Sequence, residues 1–274
     1  MKMREWGVLL AALMGPGALA AQGECYPSKT SNEAKTFAIL SVPVAFTGAR
    51  SPAPNPKGWA LGIEVASLPG VDPETATPTT CRPGKGPENT DPIPVLIRPR
   101  LAVAVGGFLL EAGWTPPIRL NGVKSSLVSL AVARPFALTS DLTLGVRAHA
   151  VLGSLTAPVT CDDDALTDIT SECFGGTRSD DRWQPGVHGV EAVLGVRGRV
   201  RPHAGIGYTR LRPRFRVNFT NSVGDTDRRF IAVDLDRVAL FAGVSTAVGP
   251  LRATAEGYAT VGDAITARLV VRYQ

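Results

Sequence analysis

The chain has 274 residues, a formal net charge of +5, 29 Gly, 22 Pro, and 44% apolar but only 6% aromatic residues, a mixture that describes many short strands and turns and excludes a helical bundle. After the first twenty residues no apolar run approaches the roughly 18 residues of a spanning helix, so any membrane residence must be by strands. The arginines are scattered at alternate positions, without a lysine-rich stripe or an aromatic platform, which excludes a nucleic-acid partner.

Lys2 and Arg4 precede the apolar run WGVLLAALMGPG, and Ala18, Leu19 and Ala20 offer a cleavage site. Residues 1–21 therefore read as an export signal, with the mature chain starting near Ala21. Gly15, Pro16 and Gly17 argue against a buried N-terminal helix. Glu24 stands where a small residue must precede a lipidated cysteine, so Cys25 is not read as a lipid anchor. Residues 22–56 form a separate segment. Thr30 and Glu33 have the spacing of a capping box, good helix formers follow, and Pro43 stops the helix.

From 57 to 274 the pattern has a period of two, which places strands at 57–67, 95–105, 107–115, 123–134, 141–153, 187–200, 202–219, 229–248, 250–261 and 264–273. In DLTLGVRAHAVLG, Leu142, Leu144, Val146, Ala148, Ala150 and Leu152 share one face, opposite Thr143, Arg147 and His149. The connections are unequal. Long Pro/Thr-rich and acidic segments follow the first and fifth strands, whereas Gly106, Arg201 and Gly249 mark tight turns. If strands run alternately up and down, the long loops share one end and the short turns the other, with both termini of the strand array.

One apolar face per strand, an opposite face of Gly, Arg and Glu, and this sorting of loops resemble bacterial outer-membrane β-barrels. The final strand, ITARLVVRYQ, resembles the terminal strand that such barrels present to the barrel assembly machinery, although Gln274 departs from the usual terminal Phe. The resemblance implies an all-β, antiparallel up-and-down transmembrane barrel of about ten strands in the outer membrane of a Gram-negative bacterium, in contact with its lipid and lipopolysaccharide. Its lumen should hold Glu64, Arg98, Arg100, Glu111, Arg147, His149, Glu191, Arg197, Arg252, Glu256 and Arg268, with Glu111 facing Arg98 or Arg100 and Glu256 beside Arg268. Segment 22–56 is weakly similar to the lumen hatch of long-chain fatty-acid transporters; a periplasmic tail or an additional short strand are the alternatives.

Cys25, Cys81, Cys161 and Cys173 lack the C-x-x-C spacing of zinc sites and read as disulfides in an exported chain. Cys161 with Cys173 closes a short loop and leaves Cys25 with Cys81. The acidic run CDDDALTDITSEC lacks the spacing and central Gly of a calcium loop and reads as a solvated charge run. His149, His188 and His203 have no nucleophile or paired acid at fixed spacing, so no catalytic site, cofactor or metal is expected. Arg210, Arg212, Arg214 and Arg216 continue the outward row of Ala204, Ile206 and Tyr208, and suit either lipopolysaccharide phosphates or pairing with Asp234 and Asp236. The expected function is a transport or porin-like channel barrel with a plugged or constricted lumen for a small or amphipathic solute. A structural or adhesive barrel acting through its loops is the alternative.

Overall fold

Alternating Val, Leu and Ala with Arg, Glu and Gly suits a wall that separates two unlike media, and ten strands are built that way. The structure, a computed structural model, describes residues 23–53, 58–90 and 93–273. The export signal read at 1–21 lies outside the described residues, as do Lys57 and Gln274. The wall strands are β1 (Trp59–Ser67), β2 (Val95–Val105), β3 (Phe108–Thr115), β4 (Val123–Ala137), β5 (Leu142–Ala157), β6 (Val187–Val196), β7 (Val200–Leu211), β8 (Leu235–Val248), β9 (Leu251–Thr260) and β10 (Ala264–Tyr273). Each pairs antiparallel with the next, and β10 closes on β1 with Arg268 opposite Ala66 and Tyr273 opposite Leu61. Closure leaves no ladder edge, as the hydrocarbon of a bilayer demands.

Gly106 and Gly107, both at positive φ, make the two-residue turn between β2 and β3 that an L side chain would strain. The outward rows are exposed and apolar all round: Leu61 and Ile63 on β1, Leu110 and Trp114 on β3, Val146 and Leu152 on β5, and Leu240 and Val244 on β8. A water-soluble surface does not carry such a belt. Trp59 and Tyr273 pack with tilted rings across the closing seam at the turn end, 6.1 Å between ring centroids, where an aromatic girdle belongs.

Two sequence expectations are corrected at the loop end. The seventh strand stops at Leu211 and the eighth starts at Leu235, because Pro213 has no N–H to give to a ladder. The intervening chain folds into short strands that extend the wall upward, Arg214–Arg216 pairing with Asp181–Gln184 and with Phe230–Ala232, and Glu24–Cys25 adding in parallel to the last. Helix α1 (Asn32–Ser41) is capped by Ser31, whose side chain accepts from the Ala34 amide at 3.2 Å. Glu33 turns instead to the first long loop and accepts the amide protons of Thr80 and Cys81, each at 2.7 Å. Two further short helices, α2 (Pro73–Ala76) and α3 (Asp163–Thr167), lie in the two long loops.

Candidate functional site

After α1 the chain descends through the barrel. Residues 42–53 have no strand partner, so their carbonyls would be orphaned inside a low-dielectric wall unless side chains supplied donors. The inward arginines supply them. Arg268 donates to Val42 O at 2.8 Å, Arg98 to Val44 O at 3.1 Å and Ala45 O at 3.3 Å, Arg100 to Thr47 O at 2.6 Å, and Arg147 to Phe46 O. Arg272 donates to Gly48 O at 2.8 Å and Ala49 O at 2.9 Å.

The same arginines are tied to carboxylates. Glu64 bridges Arg98 and Arg100; Glu111 accepts from Arg147 Nε at 2.9 Å and lies 3.7 Å from Arg100. Glu191 accepts from Arg147 at 3.1 Å and faces His149 Nδ1 at 3.4 Å. Glu256 faces His203 Nε2 at 3.1 Å and Arg268 at 4.0 Å, while Thr47 donates to it and accepts from Arg268 at 3.0 Å. The Phe46 ring is enclosed by three guanidinium carbons, Arg100 at 4.2 Å and Arg98 and Arg147 each at 4.9 Å. Five buried wall arginines thus face four buried wall glutamates, and backbone dipoles and an aromatic face take up the surplus.

This charged layer divides the interior. On the loop side the inward residues turn apolar: Leu127, Val151, Val187, Leu211 and Leu235 pack with Phe37, Ala38 and Val44 into a continuous core. Within it, under the first long loop, lies a cavity of about 120 Å³ lined chiefly by apolar atoms of Phe37, Leu40, Leu96, Leu155, Trp183 and Phe215. Trp183 and Glu88 belong to its lining, and Trp183 Nε1 and Glu88 Oε2, both buried, have no hydrogen-bond partner among the described residues. On the turn side the lumen widens into a vestibule of about 520 Å³.

The loop cap is pinned by charge. Buried Arg82 pairs with Glu88, Glu172 and, at 3.3 Å, Asp227. Burial, together with the charge of Asp181, pushes the Glu88 carboxyl up to about 7 against the pull of Arg82. Burial also opposes the charge on Glu33, but the amides of Cys81 and Thr80 more than offset it and hold that carboxyl below its ordinary value. The disulfides Cys25–Cys81 and Cys161–Cys173 are both present, so the pairing read from spacing holds.

Of the residues placed in the lumen by parity, Glu64, Arg98, Arg100, Glu111, Arg147, His149, Glu191, Glu256 and Arg268 are buried together there. Arg197 and Arg252 are half-buried nearer the turns: Arg197 Nε reaches Thr143 Oγ1 at 3.4 Å, and Arg252 lines the vestibule at the turn end of the same lumen. Arg272 and His203 were missed although both sit on inward rows, Arg272 four residues beyond Arg268; Phe46, Thr47 and Arg50 carried no periodic signal. His188 is exposed on the outer face, opposite Arg210 in the ladder. Arg210, Arg212 and Arg214 converge on Asp234 at 3.6, 3.7 and 2.9 Å, whereas Arg216 is exposed beside them. In the acidic loop Asp162 caps α3 and Asp163 pairs with Arg178; among the described residues no cluster of three metal-ligating side chains occurs.

A closed antiparallel wall, an apolar outer belt and an ion-paired interior define a transmembrane β-barrel of the outer-membrane type. No family model matches the sequence, and no curated protein matches it. Among solved structures the chain is similar to Neisserial surface protein A, at 11% identity and a TM-score of 0.26 over 78% of this chain and 96% of that one. It is similar also to the Pseudomonas putida toluene transporter TodX, at 16% identity and 0.29 over 91% and 72%. A third is the attachment invasion locus protein Ail of Yersinia pestis, at 8% identity and 0.23 over 78% and 93%. At such low values the likeness carries no argument about function.

Proposed function

We propose that the chain is exported by residues 1–21 and inserted by the barrel assembly machinery into a bacterial outer membrane, its long loops outward. There it takes a small apolar or amphipathic solute into the cavity beneath the loop cap, as a non-enzymatic barrel that segment 42–53 keeps shut. The observation that carries this reading is the cavity itself: an apolar space at the entrance, walled by Phe37, Leu40, Leu96, Leu155, Trp183 and Phe215. Passage then requires segment 42–53 to move, since its arginine bonds close the lumen below.

One observation favours the alternative of a shut scaffold that acts through its loops. The segment is held at both ends, by Cys25–Cys81 above and by continuity with β1 below. In that role Arg216, with the arginines around Asp234, would meet lipopolysaccharide phosphates just above the apolar belt. Planar-bilayer conductance separates the two: deletion of residues 21–54 opens a conducting path if the segment is a gate. A barrel that folds and stays silent after that deletion supports the scaffold.

A further inference from the structure

We propose that the turn-side vestibule is a binding site for a small anion bearing carboxylate or phosphate oxygens. Every strand of the barrel contributes to its lining, so the space belongs to the lumen and is no surface dimple. Its origin is visible in the sequence. Cβ atoms at Gly145 and Gly195 would meet Pro52 at 2.9 Å and Ser51 Oγ at 2.1 Å, so these glycines let the descending segment lie against β5 and β6. With the segment drawn to that side, and Ala60 and Ala102 short on the other, about 520 Å³ stays empty. That falls in the range of roughly 300–1,000 Å³ usual for ligand sites.

The charge on its walls is one-sided. Arg50, Arg147 and Arg201 line it, and among the described residues its one lining carboxylate is Glu111, which Arg147 engages together with Glu191 and which lies close to Arg100. Arg147 is 3% exposed, and its Nη2 has no hydrogen-bond partner among the described residues. Arg50 makes no hydrogen bond or ion pair among the described residues, and Arg201 uses only Nε, on Gly198 O at 2.8 Å. Guanidinium groups gathered around a partly enclosed space, with donors to spare, are compensated by an anion that accepts from two of them at once. The cavity on the loop side is lined by a single guanidinium, Arg82, and that one is engaged by Glu88, Glu172 and Asp227. The proposal stands on the vestibule alone and does not depend on which solute the loop end takes.

The test is calorimetric titration of the full folded barrel in detergent with succinate and, separately, with inorganic phosphate. Saturable binding of either is expected, weakened at least tenfold by Arg50→Gln with Arg201→Gln, two half-buried positions that donate none of the hydrogen bonds to the buried glutamates. The control pair Arg212→Gln with Arg216→Gln, at the other end, is expected to bind as wild type. The stronger of the two titrants names the oxygen chemistry. Absence of saturable binding for both, equal binding by the Arg50/Arg201 variant, or loss of binding in the control pair overturns the proposal.

Discussion

The two ends of the barrel interior solve one problem in opposite ways. On the loop side the wall continues inward as Leu127, Val151, Val187 and Leu211, and α1 and Val44 fill the space between them, as in the core of a soluble protein. On the turn side the inward positions are Ala60, Ala102 and Gly145 with arginines between, and the space stays open. The charged layer separates the two. It is needed because the segment joining them has no ladder, so every carbonyl it presents must find a side-chain donor. The middle of the ten-stranded wall is thus occupied by the chain's own segment, held by inward arginines, as well as by wall residues.

The largest expected effect comes from the layer itself. Glu64→Gln removes the carboxylate shared by Arg98 and Arg100 and should cost about 3–5 kcal/mol, because it strands buried cations. The check is the temperature of the heat-induced gel-mobility shift. Glu111→Gln and Glu256→Gln should lower it too; if none of the three moves it, the layer does not hold the halves together.

Phe46→Ala should cost about 3 kcal/mol by emptying a filled position, and should raise single-channel conductance by thinning the partition between the halves. Cys25→Ser should cost about 2–4 kcal/mol, read in the same assay, and should loosen only the loop side; anion binding in the vestibule is expected to persist. If the Cys25→Ser barrel loses that binding, the halves are not independent.

The smallest effect is a pH dependence confined to the loop side. Glu88 is raised to about 7 in the folded cap against an ordinary 4.5, so the folded state binds the extra proton. Its stabilising contribution is full below about pH 4.5 and is lost as pH rises through about 7. Glu88→Gln should flatten that part of the curve in denaturant titrations between pH 5 and 8, an unchanged slope placing the titration elsewhere.

The wall was legible because period two reports which side of a strand meets which medium: all ten strands stand near their expected places, and the outward row of Leu142 to Leu152 faces out. The pairings of Glu111 with Arg100 and of Glu256 with Arg268 followed from the same parity. Strand ends were less legible, since Pro213 acts through a missing N–H that no periodicity records. The helix cap slipped by one residue because Thr30 and Ser31 are chemically equivalent caps in sequence, and only the bond to Ala34 tells them apart. Least legible was the course of 42–53. Its stability comes from guanidinium groups far along the chain, so nothing local marks Phe46, Thr47 or Arg50.

The central claim is that residues 42–53 run through the lumen and close it. Every cysteine of the sequence is in a disulfide, so a single new thiol reports its own position. Ala45→Cys, buried at 1% exposure beside Arg98, should resist a membrane-impermeant maleimide added to either side of the folded barrel and react only after heat unfolding. Rapid labelling of the folded barrel from either side would contradict the account.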